Sequence, residues 1–393
     1  MLEQCWRDLC YASRGLRQSR AFVATTVLTL AVGMGLVTVV FAIFNAYVLR
    51  PFAVHDPYSL YAVRWQAQEA GGATFRWRDF QDLQTRQDLF EDVVAESTRT
   101  VSSNGRQMSI GFVSANYFAA LGPRLRLGRS FVADDAPTPR SEPGASLTDQ
   151  AWTRFFDRDP AVLGRELEAN GRTLTVIGVM APEFVGLDDV PRDAWVPLTM
   201  LGALGGGDPF SGEQPRQLRL TARLRGNVTP QQAQGSVALE PFATRVAGRL
   251  DAVRAVLQPQ TTPTRLTLTN YALLSPVFAA FGLVLVAACA NASNVMLARA
   301  NARHREIGIR LSIGASRGRI VRQLVTEGLV ITTLAGLVGL TLAAALLRLA
   351  TYAFVVMLPP TVAARVRFVP LDFDYRVFGF AFIVAGAATL LFA

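Results

Sequence analysis

Four stretches of the chain lack polar punctuation, and a long region of short-period alternation separates the first two. Ala21–Leu49 and Asn270–Ala298 each run 29 residues without a charge, and Gly328–Leu347 runs 20. A fourth apolar run starts at Val377 and continues to Ala393. An α-helix rises about 1.5 Å per residue, so roughly 20 apolar residues cover a hydrocarbon core of about 30 Å. The runs predict three membrane-spanning helices and the start of a fourth. Buried helices of a large soluble core are the competing reading, but such helices rarely go so far without a charge. The first run is too long for the apolar segment of a signal peptide, and no A-x-A site follows it, so it reads as an uncleaved anchor.

Between the first two runs the pattern predicts an α+β domain without disulfides. Leu60–Trp65, Gln107–Val113, Leu218 to Leu224 and Arg265–Thr269 read as strands. A helix is expected around Phe80, Leu83 and Phe90. Another starts at Thr229-Pro230-Gln231-Gln232, an N-cap, a proline at N1 and a glutamine at N3, and continues through Phe242, Val246 and Leu250. Glu166–Val179 reads as a β-hairpin around Asn170-Gly171, residues that supply the positive φ angles of a type I′ turn. Two β-α-β units thus flank an inserted subdomain at about 114–215, with Ala136–Pro143 and Gly202–Gly207 as surface loops. The three cysteines, Cys5, Cys10 and Cys289, all fall outside this domain, so it must hold together through its core.

Charge orients the chain. The net charge is +9, and all 39 basic residues are arginine. Between Pro51 and Thr269, 23 Arg face 24 acidic residues, so the surplus lies elsewhere. Arg7, Arg14, Arg17 and Arg20 precede the first run, and seven arginines crowd 299–322 against Glu306 alone. Short arginine-rich flanks mark the cytoplasmic side, and a long loop is translocated whatever its charge. The expected division is a cytoplasmic amphipathic helix over 1–20, spans over 21–49, 271–298 and 323–350, and the beginning of a fourth over 376–393. The domain over 50–270 and the loop over 351–375 lie outside. Counted with its edges, that loop keeps a slight arginine excess, Arg348, Arg365, Arg367 and Arg376 against Asp372 and Asp374, which strains the scheme. Leu2, Trp6, Leu9 and Leu16 suit a surface helix with Trp6 at headgroup level, and a frayed polar terminus is the alternative. The basicity reports orientation, and no nucleic-acid partner is expected.

Catalytic patterns are not found. His55 and His304, the two histidines, fall on opposite sides of the membrane, so no histidine-based metal site or triad can form. Asp134-Asp135 and Asp188-Asp189 point apart as sequence neighbours and read as solvated loop charges. The chain has no lysine and therefore cannot build a P-loop, whose Lys holds the β- and γ-phosphates. The Gly202–Gly207 loop lacks G-x-G-x-x-G. No enzyme activity and no cofactor are expected for this chain.

The sharpest signal lies between the second and third runs. Ile307, Leu311 and Ile313 make a short apolar stripe beside Arg303, Glu306 and Arg310; Gly314 stops that helix and Ser316 caps the next. A short helix tethered at both ends to spans can act as a lever, with a face that needs a protein partner. A basic turn obeying only the positive-inside rule would explain the arginines but not the stripe or the caps. Within the spans, Ala31 and Gly35, Gly336 and Gly339 would let helices approach closely. Asn291 and Asn294 could bond across helices or reach the interface.

These residues carry a resemblance. The segment Ala287–Arg299, followed by Arg305-Glu306-Ile307, Arg310, Gly314-Ala315-Ser316, Arg322-Gln323 and Glu327, resembles the second span, coupling helix and third-span start of the MacB/FtsX-like ABC transporter permeases. Val113–Phe118, Leu127–Arg129, Asp159–Arg165, Asn170-Gly171 and Val176–Val179 are similar to that family's MacB-like periplasmic core. The resemblance implies an α-helical transmembrane protein of four spans, the last incomplete, with a large α+β extracytoplasmic domain of porter-like and sabre-like parts. It implies a multi-pass protein of the bacterial inner membrane with a cytoplasmic N-terminus and a periplasmic domain. Its partners would be an ABC ATPase subunit that binds ATP and Mg, a second permease protomer or half, the lipid bilayer, and periplasmic or outer-membrane components. The expected role is a permease subunit that relays ATP-driven motion to the periplasmic domain for export or mechanotransmission, with Arg303, Glu306, Ile307, Arg310, Leu311, Gly314 and Ser316 as the ATPase-coupling helix. The family has a cytoplasmic tail after the fourth span, so a fragment or the first half of a tandem permease is expected here. Two rivals remain. A membrane-anchored sensor predicts a cytoplasmic output domain after the second span, where about 24 residues stand. A membrane-bound extracytoplasmic enzyme needs a catalytic constellation.

Overall fold

The structure is a computed structural model and describes residues 20–66, 71–131, 143–187, 192–210, 217–238, 254–264, 268–302, 309, 312, 317–357, 371 and 373–392. The chain divides into two compact units, a helical one (1–49, 266–357 and 371–393) and a sheet-bearing one (50–265 and 358–370).

The helical unit is built from α1 (Arg20–Phe44), α6 (Leu268–Ala302), α7 (Arg317–Met357) and α8 (Tyr375–Phe392). Three helices are long and apolar enough to cross a membrane, at Ala21–Leu49, Asn270–Ala298 and Val325–Ala353. A shorter apolar helix follows at Tyr375–Leu391. Backbone polar groups in hydrocarbon must be satisfied within the segment, so uninterrupted apolar sequence becomes uninterrupted helix. Helix α1 sits at the centre of this unit. Its Leu30, Ala31, Met34 and Val37 pack in one core with Cys289 and Ala292 of α6, Ile331 and Ala335 of α7, and Val384 and Ala388 of α8. In contrast, α6 shows most of its surface, including Leu273, Leu283, Val286 and Leu297.

The other unit is an α+β domain around one mixed sheet. Its strands are β1 (Leu60–Gln66), β2 (Gly71–Gly72), β3 (Phe90–Ser103), β4 (Arg106–Val113), β5 (Leu125–Gly128), β6 (Gly144–Leu147), β7 (Glu166–Ala169), β8 (Arg172–Met180), β9 (Ala194–Pro197), β10 (Arg219–Leu224) and β11 (Arg254–Pro259). They lie in the order β11-β1-β10-β3-β4-β9-β6-β8-β5, with β2 paired to β1 and β7 to β8. The strands contributed by 114–215 follow one another beyond β4, joined to it through the parallel β4–β9 pair. Residues of β1, β3, β4, β8 and β9 divide between two cores, the signature of a sheet covered on both faces. The larger takes Val93, Ile110, Val176 and Val196, together with α2 (Trp77–Gln84), α4 (Asp149–Phe156) and α5 (Pro230–Ala238). The smaller takes Val94, Val113 and Trp195, together with α3 (Tyr117–Leu121). Local chemistry starts the helices. The Thr148 hydroxyl accepts from the Ala151 N–H at 3.0 Å. Thr229 and Gln232 cap α5 reciprocally, with Thr229 N donating to Oε1 at 3.0 Å and Gln232 N to Oγ1 at 3.3 Å.

Several elements differ from their sequence reading. Phe90 opens strand β3, because α2 ends at Gln84 and the turn through Arg86 and Asp88 reverses the chain. Strand β3 itself was hidden by polar residues at buried positions, Glu96, Ser97 and Ser103, which break the expected alternation. In the expected strand Arg265–Thr269, Leu268 and Thr269 belong to α6, and 265–267 lie outside the described residues. Leu268 and Thr269, directly before a 29-residue apolar run, join its helix, and the last strand among the described residues is Arg254–Pro259. The hairpin over β7 and β8 turns through Asn170 at φ 48° and Gly171 at φ 74°, as a type I′ turn requires. Residues 1–19, 132–142, Phe242, Val246 and Leu250 lie outside the described residues.

Candidate coupling site and helix interface

Helix α6 leads into the proposed coupling segment and α7 leads out of it. Arg303, Glu306, Ile307, Arg310, Leu311, Gly314 and Ser316 all lie outside the described residues. Within the segment Ile309 and Ser312 are described; both are helical and exposed, and the Ser312 hydroxyl donates to the Ile309 carbonyl at 2.8 Å.

The small residues of α1 and α7 come together. A Cβ on Gly35 would lie 3.0 Å from the Gly339 carbonyl oxygen. One on Gly339 would lie 3.0 Å from the Ala31 carbonyl oxygen and 3.3 Å from the Gly35 nitrogen. The helices therefore touch backbone to backbone at Ala31, Gly35 and Gly339. Apolar burial gives helices no advantage in lipid, so this close contact is where dispersion holds them. Gly336 meets the Met34 side chain, its added Cβ 3.3 Å from Cε, and Gly33 meets Ala288 of α6. Asn291 and Asn294 lie on the exposed side of α6.

Polar groups pin α8 to α1 and α7. Asp374 is the hub: its Oδ1 accepts from the backbone N–H groups of Arg376 and Val377 at 3.1 Å each, capping α8, and its Oδ2 accepts from Asn45 Nδ2 at 2.9 Å. Arg376 Nη1 donates to the Leu49 carbonyl. Asn45 and Leu49 bound a single π-helical turn at the end of α1, a geometry that leaves backbone carbonyls looking for donors. Farther along, the buried hydroxyls of Thr332 and Thr389 share a hydrogen bond of 2.6 Å. The sequence reading took Asp374 and Arg376 as loop charges. An acidic residue directly before an apolar helix was the missed signal for a cap.

The α+β domain hides charge of its own. Arg192 Nε donates to Glu96 Oε1 at 2.7 Å with the arginine side chain fully buried, and Tyr117 Oη donates to Glu96 Oε2 at 3.2 Å. A Cβ at Gly111 would stand 2.8 Å from Trp195 and 3.2 Å from Glu96 Oε1, so only glycine fits beside this pair. Burial pushes the Asp193 carboxyl up; Arg154 at 2.8 Å and the Ser109 N–H hold it back. Burial also raises Asp92, against the Asn116 side chain. No group of three or more His, Cys, Asp or Glu side chains that could hold a metal ion occurs among the described residues.

Long apolar helices with an α+β domain inserted between the first two define a multi-pass membrane protein that carries a large extramembrane domain. The MacB-like periplasmic core domain family matches residues 23–238, and the FtsX-like permease C-terminal family matches residues 278–393. The chain belongs to the MacB/FtsX-like permease family of ABC transporters. Among characterised relatives, the macrolide export ATP-binding/permease protein MacB of Neisseria meningitidis serogroup A is 29% identical over 272 residues, which are 65% of this chain and 39% of the relative. The protein of the same name from Chromobacterium violaceum is 24% identical over 348 residues, 84% of this chain and 51% of the relative. The chain thus spans between about two fifths and one half of the length of these relatives. Solved structures with likeness include the extracellular domain of the noncanonic ABC-type transporter YknZ from Gram-positive bacteria, at TM-score 0.38, 15% identity, and coverage of 50% of this chain and 99% of that one. The periplasmic region of MacB from Actinobacillus actinomycetemcomitans gives TM-score 0.37, 14% identity, and coverage of 50% and 87%.

Proposed function

We propose that this chain is the permease subunit of an ABC transporter in a bacterial inner membrane, relaying ATP-driven motion of a partner ATPase to its periplasmic domain for export or mechanotransmission. One observation carries the reading: a single chain matches both a MacB-like periplasmic core and an FtsX-like permease part, over 23–238 and 278–393. The Neisseria relative is named an ATP-binding/permease protein. Residues 1–393 include no lysine and build no P-loop, and we assign ATP and Mg to the partner ATPase. A second protomer or half completes the assembly, α8 serves as the fourth span, and further periplasmic or outer-membrane components join it. The N-terminus and 299–322 are cytoplasmic, by their arginines.

Contact with the ATPase is assigned to Arg303, Glu306, Ile307, Arg310, Leu311, Gly314 and Ser316. Ile307 and Leu311 form an i, i+4 pair that an ATPase surface groove can receive. Truncating one partner of a buried charge pair costs roughly 2–5 kcal/mol. Glu306→Arg, or Ile307→Asp with Leu311→Asp, is expected to abolish co-purification with the cognate ATPase or to uncouple its hydrolysis in lipid, with membrane insertion intact. Glu142→Arg in the external domain should do neither. Normal association and coupling in the first two variants would remove the coupling-helix assignment.

A further inference from the structure

We infer that Arg223 is the positioning residue that fastens the chain leaving α1 to the external sheet, so that a displacement of α1 moves the domain instead of being absorbed by a loop. The inference rests on the relay proposed above and names where the relay enters the domain.

Arg223 lies near the end of β10 and is buried at 4% exposure. A buried guanidinium is costly unless its donors are used, and most such groups face a carboxylate. Arg223 does not. Among the described residues its hydrogen bonds go to the carbonyls of Asp56 at 2.9 Å, His55 at 2.8 Å and Ala120 at 2.9 Å, and to the Ser59 hydroxyl at 2.6 Å. Its cross-strand neighbour Asp92 is not among these partners. Three of the four acceptors belong to one loop, 55–59, and the fourth is a carbonyl of the last turn of α3. Nη1 serves Asp56 and Ser59 and Nη2 serves His55 and Ala120, four bonds from two nitrogens held in one plane; a lysine ammonium has three donors on a single atom and cannot make all four.

What that loop connects gives the clamp its meaning. Five residues, Arg50 to Val54, separate Leu49 at the end of the α1 segment from His55, and Leu60 opens β1 directly after the loop. The loop would otherwise be a slack joint: Asp56 adopts a left-handed φ of 37°, and Pro57–Ser59 is a single 3-10 turn. Further bonds hold it to the same corner. His55 N donates to the Leu121 carbonyl at 2.7 Å, and Phe52 N donates to the Thr261 carbonyl at 2.9 Å, just beyond β11. Thr261 lies seven residues before α6 begins at Leu268, so the chain from α1 and the chain to α6 are joined at one place. Arg223 contributes most to that junction, and it sits on a strand paired on both sides, to β1 and to β3.

The test uses the full chain with its ATPase in lipid nanodiscs. Without nucleotide, Arg223→Met should speed amide hydrogen exchange at His55 and Ser59 by at least about tenfold, with β3 and β4 unchanged. Unchanged exchange at 52–60 would overturn the inference. With ATP, the exchange change that wild type shows in the external domain should shrink in Arg223→Met. It should return on adding His55→Cys with Gly122→Cys and be lost again on reduction. The Gly122 Cβ would lie 3.2 Å from His55 Cβ, a few tenths short of disulfide distance. At φ 57° Gly122 sits in the left-handed α region, which a cysteine enters at a modest cost, so formation of the bridge is verified before exchange is measured. A loosened loop with an undiminished ATP response would also overturn the inference. An absent ATP response in wild type would remove the relay reading itself, while the exchange at 52–60 still decides whether Arg223 anchors the loop. Should Arg223→Met not fold, Arg223→Lys, which keeps the charge and loses the fork, carries both measurements.

Discussion

Gly35 and Gly339 meet with no side chain between them: a Cβ on Gly35 would come within 3.0 Å of the Gly339 carbonyl oxygen. Such an atom would push on backbone, which cannot swing aside. Overpacking of this kind costs roughly 1–3 kcal/mol. Gly339→Val is therefore expected to lower the thermal midpoint of the chain in detergent. Gly336→Ala should leave it nearly unchanged, because the added methyl presses on the flexible end of Met34 and otherwise meets Ala385 at an ordinary contact distance of 3.8 Å. Equal midpoints for the two variants would rule out the Gly35–Gly339 contact.

Asn170 does two jobs, and a second prediction follows from them. It takes the positive φ of the hairpin turn, and its side chain ties that turn to other elements: Oδ1 accepts from Ser102 N at 2.8 Å, and Nδ2 donates to the Leu204 carbonyl at 3.0 Å. Asn170→Ala should cost about 1–3 kcal/mol in urea unfolding followed by tryptophan fluorescence. Asn170→Asp, which keeps the acceptor and the turn, should cost less. An alanine variant within about 0.5 kcal/mol of wild type would contradict this.

Local chemistry was legible; long-range pairing was not. The apolar runs, the Asn170-Gly171 turn and the Thr229–Gln232 cap each depend on residues within a few positions, and each is visible in the sequence. Strand β3 was missed because the charge of Glu96 is offset by Arg192, 96 residues away, which no periodicity reveals. Ala31 and Gly35 stand out as small residues in an apolar run, but that they face Gly339 is a tertiary fact. The same holds for Asn45 with Asp374, 329 residues apart, and for Arg223 with the 55–59 loop.

The Asp193 carboxyl gives a pH prediction with a definite sign. Burial raises its folded pKa above the ordinary carboxylate value of 3.8, so the folded chain holds this proton more tightly than the unfolded chain does. Asp193 therefore adds stability below its unfolded pKa and loses that contribution as pH rises through the folded one. Asp193→Asn resembles the protonated form at every pH. Its thermal midpoint relative to wild type should be higher at about pH 8, and the gap should close toward about pH 4. Four of the five tryptophans, Trp65, Trp77, Trp152 and Trp195, lie in the sheet-bearing unit and report on it. A gap that widens as the pH falls would show that the Arg154 pair, and not burial, governs Asp193.

Orientation can be tested directly. The proposed orientation puts the arginine-rich segments 1–20 and 299–322 in the cytoplasm and the intervening domain, with 23 Arg against 24 acids, outside. The structure indicates where to probe. Gly205 holds a φ of 93°, which a cysteine would strain, whereas Ala203 in the same loop is exposed and carries no such constraint. The native Cys5, Cys10 and Cys289 are first replaced by serine. In intact spheroplasts Ala203→Cys should then react with a membrane-impermeant maleimide, and Ser316→Cys should react only after permeabilisation. The opposite pattern would invert the topology and place the arginine-rich segment outside, where no ATPase could reach Glu306.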